Sequence, residues 1–249
     1  MAKSTKILVI PDSHACPYFD LERFSRLGKF ANKVKPTHIV QMGDWAEMFS
    51  LNKYNVGHIN YEGARIENDI AASVEALDRF EHTYKGKARR VSLMGNHENY
   101  ISKAVNHDPK MYGMFSLKGL QWEEYGWEVV PFLDYACING VKFIHFVPNK
   151  MGKAVASKYL ASKIIEEVRG SVVVGHSHTF DIAYHPVKGE NRKQWGVVSG
   201  YYGHPEHAKD PRSSWATGGK EYWTHNVVIL DNVENGEFTL TYVRQEDVG

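Results

Sequence analysis

A chain of 249 residues with 43% hydrophobic and 24% charged residues and no low-complexity tract is expected to fold as one well-packed domain spanning residues 1–249, which excludes a disordered protein. Thirty basic against twenty-nine acidic residues leave a formal net charge of +1, so a uniform field for capturing nucleic acid is excluded, although a local basic patch is not. The apolar run Ile7 to Ile10 is shorter than the roughly 7–15-residue core of a signal peptide, and no stretch approaches the ~18 apolar residues needed to span a bilayer; cytoplasmic residence without a membrane partner is the expectation.

Lys6 to Ile10 (KILVI) is a short β-branched run that stops at Pro11-Asp12, the pattern of a buried strand running into a loop that holds Asp12-Ser13-His14. Leu21, Phe24, Leu27 and Phe30 recur at helical spacing through Lys33, and His38 to Met42 forms a second strand ending at Gly43-Asp44. Ile66, Ile70, Val74, Leu77 and Phe80 predict an amphipathic helix from Tyr61 to about Tyr84, and Arg90 to Met94 then leads to Gly95-Asn96-His97-Glu98. Strand, polar cluster and helix alternate three times, the mark of βαβ units whose strand carboxyl ends gather functional groups.

The second half is richer in strands: Glu128 to Pro131, Tyr135 to Ile138, and Val141 to Phe146, with Asn139-Gly140 as a tight hairpin turn and His145 at the end of the third. A helix is predicted over Ala154 to Val168, before Ser171 to Val174 runs into Gly175-His176-Ser177-His178. Further strands are predicted near Gln194 to Ser199, His225 to Leu230 and Glu237 to Tyr242, the last two joined by a second Asn-Gly turn at Asn235-Gly236. The long polar stretch from Gly200 to Thr224 has the length and aromatic content of a functional loop.

Cys16 and Cys137 are far apart and form no C-x-x-C pair, so both read as ordinary thiols. Carboxylate, imidazole and carboxamide without thiolate suit Mn²⁺, Fe²⁺ or Zn²⁺. Asp12 with His14, and His176 with His178, are i, i+2 pairs that can each chelate one ion where the backbone curls. Two ions about 3.5–4 Å apart bind phosphate oxygens and a water between them, lowering the pKa of that water toward ~7 so that hydroxide attacks in line. One carboxylate should bridge the ions, and His97, beside Asn96, is the expected general acid for the leaving alkoxide.

In order along the chain, Asp-x-His, Gly-Asp-x-x-Glu, Gly-Asn-His-Glu, a strand-terminal His and Gly-His-x-His all fall at the ends of apolar runs. With this set the sequence resembles the calcineurin-like metallophosphoesterase superfamily over roughly residues 6 to 180. The resemblance implies an α/β fold, a four-layer sandwich of two mixed β-sheets flanked by helices. It implies a first metal held by Asp12, His14 and His178, a bridging Asp44, and a second metal completed by Asn96, His145 and His176, with two Mn²⁺ ions expected and Fe²⁺ or Zn²⁺ as alternatives. Glu47 stands where many members have Asp, Phe146 follows His145 where Gly is usual, and the iron-binding tyrosine of purple acid phosphatases has no counterpart at position 47. His145 is supported by elimination as well, since His107 lies in a stretch without strand character.

Single elements have plainer readings: Asp44 as a helix cap, Asn96 as a turn residue, Glu98 as support for a neighbouring ligand or helix N-terminus, Asn99 and Tyr100 as a polar helix start. His204, His207 and Arg212 fit either a phosphate clamp or a solvated loop, with His204 and Arg212 carried as candidate substrate contacts. Trp122 and Trp127 are expected in the core, whereas Trp215 and Trp223 fit a stack on a base or a cap over the pocket. The expected activity is hydrolysis of phosphate monoesters or diesters, nucleotides included. The alternatives are a DNA exo- or endonuclease of the same superfamily with nucleic acid as partner, a serine/threonine protein phosphatase, and a non-catalytic interaction protein.

Overall fold

The computed structural model describes residues 4–212 and 220–249. Two mixed sheets stack face to face. The first runs in the order β11-β10-β1-β2-β3-β4, from β1 (Ile7–Ile10), β2 (His38–Gln41), β3 (Arg89–Leu93), β4 (Glu128–Val130), β10 (Asn226–Glu234) and β11 (Glu237–Arg244). The second runs β5-β6-β7-β9-β8, from β5 (Ala136–Ile138), β6 (Val141–Ile144), β7 (Val172–Val174), β8 (Phe180–Pro186) and β9 (Lys193–Ser199). Strands β1 to β4 are mutually parallel, as are β6, β7 and β9, while β10, β11, β5 and β8 pair antiparallel.

The central strands are buried on both faces, which is why their sequences are continuous apolar runs without a polar side. The two-residue pleat sorts their side chains. Ile7, Val9, Val40 and Val91 of the first sheet meet Phe143, Val173 and Val197 of the second in the layer between the sheets. Leu8, Ile10 and Ile39 face outward onto the helices α1 (Glu22–Val34) and α2 (Ile66–Thr83), against Phe24, Leu27, Leu77 and Phe80. On the far side Ile144, Val172, Val174 and Val198 pack under α4 (Leu160–Val168), against Ala161 and Ile164. Helix, sheet, sheet and helix make the four layers, and Trp122 and Trp127 lie in the core with α1 and α2.

Both Asn-Gly turns form with positive φ at each residue, 47° and 86° at Asn139-Gly140 and 52° and 83° at Asn235-Gly236, the conformation a two-residue hairpin needs. Three elements depart from expectation. Helix α2 begins at Ile66 rather than Tyr61, because the preceding residues coil into short 3-10 turns at Lys53–Asn55 and Ile59–Tyr61. Helix α4 begins at Leu160 rather than Ala154, since Ala154 bridges back to Pro148. Strand β8 is an addition to the predicted set. It is an edge strand pairing only with β9, half-exposed along its length, so its apolar signal is weak.

Candidate metal centre

Asp12, Asp44, Asn96, His145 and His176 each lie one to three residues beyond the carboxyl end of β1, β2, β3, β6 and β7. Four residues here adopt left-handed backbone: His14 (φ 45°), Asp44 (φ 51°), His176 (φ 66°) and His178 (φ 60°). For side chains other than glycine this costs on the order of 1–3 kcal/mol each and persists only where the surroundings enforce it. The enforcement is visible: the amides of Ser13 and His14 both donate to the Asp44 carbonyl at 2.9 Å, Tyr202 N donates to Asp12 O at 2.7 Å, and His176 N donates to the Asp12 carboxylate at 2.9 Å. Two glycines let carboxylate and backbone close up. A Cβ on Gly95 would sit 2.1 Å from Asp44 Oδ1, and one on Gly175 would sit 2.3 Å from Asp12 Oδ1.

Four overlapping donor groups result among the described residues, two of which match the expected ligand sets. In the first, His14 Nε2 and His178 Nε2 are 3.0 Å apart and His178 Nε2 is 3.3 Å from Asp12 Oδ2. In the second, His145 Nε2 lies 3.0 Å from Asn96 Oδ1 and 3.3 Å from Asp44 Oδ2, with the His176 ring 5.2 Å from that of His145. Asp44 stands between the clusters, since its ligand atoms also group with His14 and His97. All seven residues expected as metal ligands are therefore brought to one place.

Outer partners fix which ring nitrogen points inward. His145 Nδ1 donates to the Met42 carbonyl at 2.8 Å and His14 Nδ1 donates to Glu47 Oε2 at 2.5 Å. Each therefore turns Nε2 into the centre, the orientation that metal-ligating histidines need. Sulfur is absent from both clusters, so the donor chemistry fits borderline or hard divalent ions.

The fields in this centre are strong. Burial opposes ionisation of Asp12 and Asp44, but the facing histidines outweigh it and hold both carboxyls below their ordinary range. His145 is disfavoured as a cation by burial, yet Asp44 and Asp12 push it up to about 10, whereas burial and the neighbouring His145 press His176 down to about 4. Glu98 is not a ligand in this arrangement. Its carboxylate accepts the amides of Gly95 (2.8 Å), Asp44 (3.0 Å) and Ala46 (2.8 Å), pinning the two loops that carry Asp44 and Asn96.

His97 reaches the centre from the start of α3 (Asn99–His107). Its Nδ1 donates to the Glu47 carbonyl at 2.5 Å and its Nε2 stands 3.9 Å from Asp44 Oδ2. Burial works against its protonation, but Asp44, Glu47 and that carbonyl hold its pKa above the ordinary value.

The late loop contributes differently from expectation. His204 stacks on Phe19 and pairs with Asp20, and Arg212 pairs with Asp210 and lies over the Tyr18 ring, so neither lines the cavity at the centre. Trp215 and Gly218-Gly219 fall outside the described residues, while Trp223 sets its edge against His178 at 4.4 Å. His207, in contrast, is buried beside the centre: its Nε2 is 3.5 Å from Glu47 Oε2 and its Nδ1 is 2.5 Å from the Tyr201 hydroxyl. Nothing in the sequence singles out Tyr201, which lies at the start of the long polar stretch from Gly200 to Thr224.

A cavity of about 550 Å³ opens over Asp44, Asn96, His97, His176 and His178. Its outer wall carries Lys53, Lys103 and Lys153 together with Tyr54, Tyr100, Phe132 and Phe146, and Asp44 is the sole carboxylate among its described lining residues.

A family model described as calcineurin-like phosphoesterase matches residues 5–230. No curated protein sequence matches the chain. Among solved structures, the crystal structure of TT1561 of Thermus thermophilus aligns at a TM-score of 0.40 and 13% identity, over 97% of this chain and 100% of that one. A second crystal structure aligns at a TM-score of 0.44 and 12% identity with the same coverage.

Proposed function

The chain belongs to the calcineurin-like phosphoesterase family, and from that premise we propose that it hydrolyses phosphate esters with two divalent metal ions, Mn²⁺ in the first instance. The observation that carries this reading is the pair of clusters, Asp12–His14–His178 and Asp44–His145–His176, with Asp44 also grouped with His14 and lining an open cavity. Asp12, His14 and His178 would hold one ion, Asn96, His145 and His176 the other, and Asp44 both. When bound, such a pair supplies Lewis-acid neutralisation of phosphate charge and an activated water.

The protein's own residues do the rest. His97 gives its Nδ1 to the Glu47 carbonyl, so a proton on Nε2 faces the cavity and is the one delivered to the departing alkoxide oxygen. Its raised pKa suits an acid that is charged before the step and neutral after it. The phosphate itself meets Asn96 and His176, and the chain beyond the scissile bond lies along the outer wall.

That wall favours substrates with negative charge and a flat ring beyond the reacting phosphate, because three lysines and four aromatic rings line it and Asp44 is the sole carboxylate among the described lining residues. Nucleotides meet this description, as does the end of a nucleic acid strand, so nuclease action is the second reading. The deciding experiment is hydrolysis of p-nitrophenyl phosphate and bis-p-nitrophenyl phosphate by chelator-stripped protein with Mn²⁺ restored, with Asp44→Asn as control. Metal-dependent turnover lost in the variant supports a phosphoesterase and ranks monoester against diester. Silence on both esters with metal bound, together with digestion of single-stranded DNA, would transfer the reading to a nuclease.

A further inference from the structure

Behind the first metal cluster lies a second tier of buried polar groups outside the expected ligand set, of which Glu47 and His207 also lie within ligand distance of His14. Glu47, His207 and Tyr201 are 2%, 3% and 0% exposed. They lie in series: His14 Nδ1 bonds Glu47 Oε2 at 2.5 Å, His207 Nε2 stands 3.5 Å from that same oxygen, and His207 Nδ1 bonds the Tyr201 hydroxyl at 2.5 Å. The rings close round His14, with His207 and Tyr201 both 5.6 Å from it. Burying a carboxylate in a pocket of rings costs several kcal/mol unless its lone pairs are used, yet Glu47 Oε1 has no hydrogen-bond partner among the described residues. Core packing alone would not keep this group here.

The backbone explains how Glu47 comes to face His14 rather than His97. Its carbonyl is taken by His97 Nδ1 and its amide donates to the Ala15 carbonyl. The loop carrying Glu47 is thus zipped to the loop carrying His14, and the side chain turns back along that zipper.

We propose that Glu47, steadied by His207 and Tyr201, is a positioning residue for the metal centre: it fixes the ring plane and tautomer of His14 so that Nε2 faces the ion shared with Asp12 and His178. The inference rests on the metal-centre reading above. With a Glu47 oxygen 2.5 Å from it, Nδ1 of His14 is engaged away from the centre and Nε2 is left as the ligand atom. His207 serves Glu47 as Glu47 serves His14. The Tyr201 hydroxyl donates to its Nδ1, which leaves the hydrogen on its Nε2, 3.5 Å from the Glu47 carboxylate. The chain acts on one of the two ions, since Asn96, His145 and His176 make no contact with it among the distances above.

The test is titration of the metal-free protein with Mn²⁺, followed by calorimetry for stoichiometry and affinity and by electron paramagnetic resonance for the spin-coupled pair. Glu47→Gln, His207→Ala and His207→Gln are compared with wild type. Wild type is expected to bind two ions. Glu47→Gln and His207→Ala should bind one ion as wild type does and the other about 10–100-fold more weakly, with the coupled signal replaced by that of isolated Mn²⁺. His207→Gln, which still offers an N–H to Glu47, should recover most of the loss; the metal-free melting temperature of Glu47→Gln should stay close to wild type, whereas that of His207→Ala should fall because it leaves a cavity and an unpaired Tyr201 hydroxyl. Two wild-type-like ions in both Glu47→Gln and His207→Ala would overturn the proposal, as would weakening of both ions in step with lost metal-free stability. Failure of wild type itself to bind Mn²⁺, Fe²⁺ or Zn²⁺ would sink the metal-centre reading and this inference with it, an outcome distinct from the other two.

Discussion

The amide of His97 donates to Asp44 Oδ1 at 2.9 Å while the His97 ring stands 3.9 Å from Asp44 Oδ2. The residue read as the shared metal ligand therefore grips the backbone of the residue read as the acid, and the two cannot move independently. His97→Ala leaves that amide in place. Metal content should stay at two ions per chain, while kcat on an alkyl phosphate falls about 10²–10⁴-fold and kcat on p-nitrophenyl phosphate, whose leaving group needs no proton, falls far less. Equal losses on both esters would remove His97 from the acid role.

Gly175→Ala places a methyl group against Asp12 Oδ1 and within 3.2 Å of Met42 Cβ. At 2.3 Å from the new Cβ, the Asp12 carboxylate must shift from its place beside His178. Metal affinity should drop, and overpacking should cost about 1–3 kcal/mol of stability. Calorimetric Mn²⁺ titration alongside thermal melts measures both, and unchanged Mn²⁺ affinity would contradict the assigned place of Asp12.

Asp69 offers a pH test away from the ligands. Burial raises its carboxyl from an ordinary 3.8 to about 6, although it accepts the Ser50 amide at 2.8 Å. A carboxyl raised in the folded state makes folding bind a proton, so its contribution is full below about pH 4 and is lost as pH rises through about 6. Asp69→Asn should therefore gain stability on wild type between pH 4.5 and 7, by on the order of 1 kcal/mol, and melting curves across that range should diverge in that direction.

Lys53, Lys103 and Lys153 replaced together by Ala should raise KM for a nucleoside polyphosphate about tenfold at low salt, given up to about 1 kcal/mol for each exposed ion pair. The difference should shrink at 0.5 M salt, and KM for p-nitrophenyl phosphate should hardly move. A parallel rise for both substrates would show that the lysines act on the reacting phosphate instead.

The strand ends were legible in the sequence because a strand buried on both faces must be an unbroken apolar run, and a polar residue at its end has nowhere to go but the cleft. Asp12, Asp44, Asn96 and His176 were found that way. Glu47 and His207 were visible as residues but not in their places. Which way a side chain turns from a loop depends on backbone hydrogen bonds such as Glu47 N to Ala15 O, and these have no periodic trace. His204 and Arg212 illustrate the same limit: charged loop residues satisfied by Asp20 and Asp210 look identical in sequence to a phosphate clamp. Edge strand β8 escaped because half-exposed strands dilute the apolar signal.

The centre draws Asp12, His14, Asp44 and Asn96 from the first sheet and His145, His176 and His178 from the second. No single sheet carries a complete set, so the gap between the sheets is also the gauge that spaces the ligands. That gauge is set by Val9, Val40, Phe143 and Val173 in the layer between them. Side chains that never meet a substrate thus calibrate the centre through their bulk, and a methylene gained or lost there is a change of instrument setting as much as a change of packing.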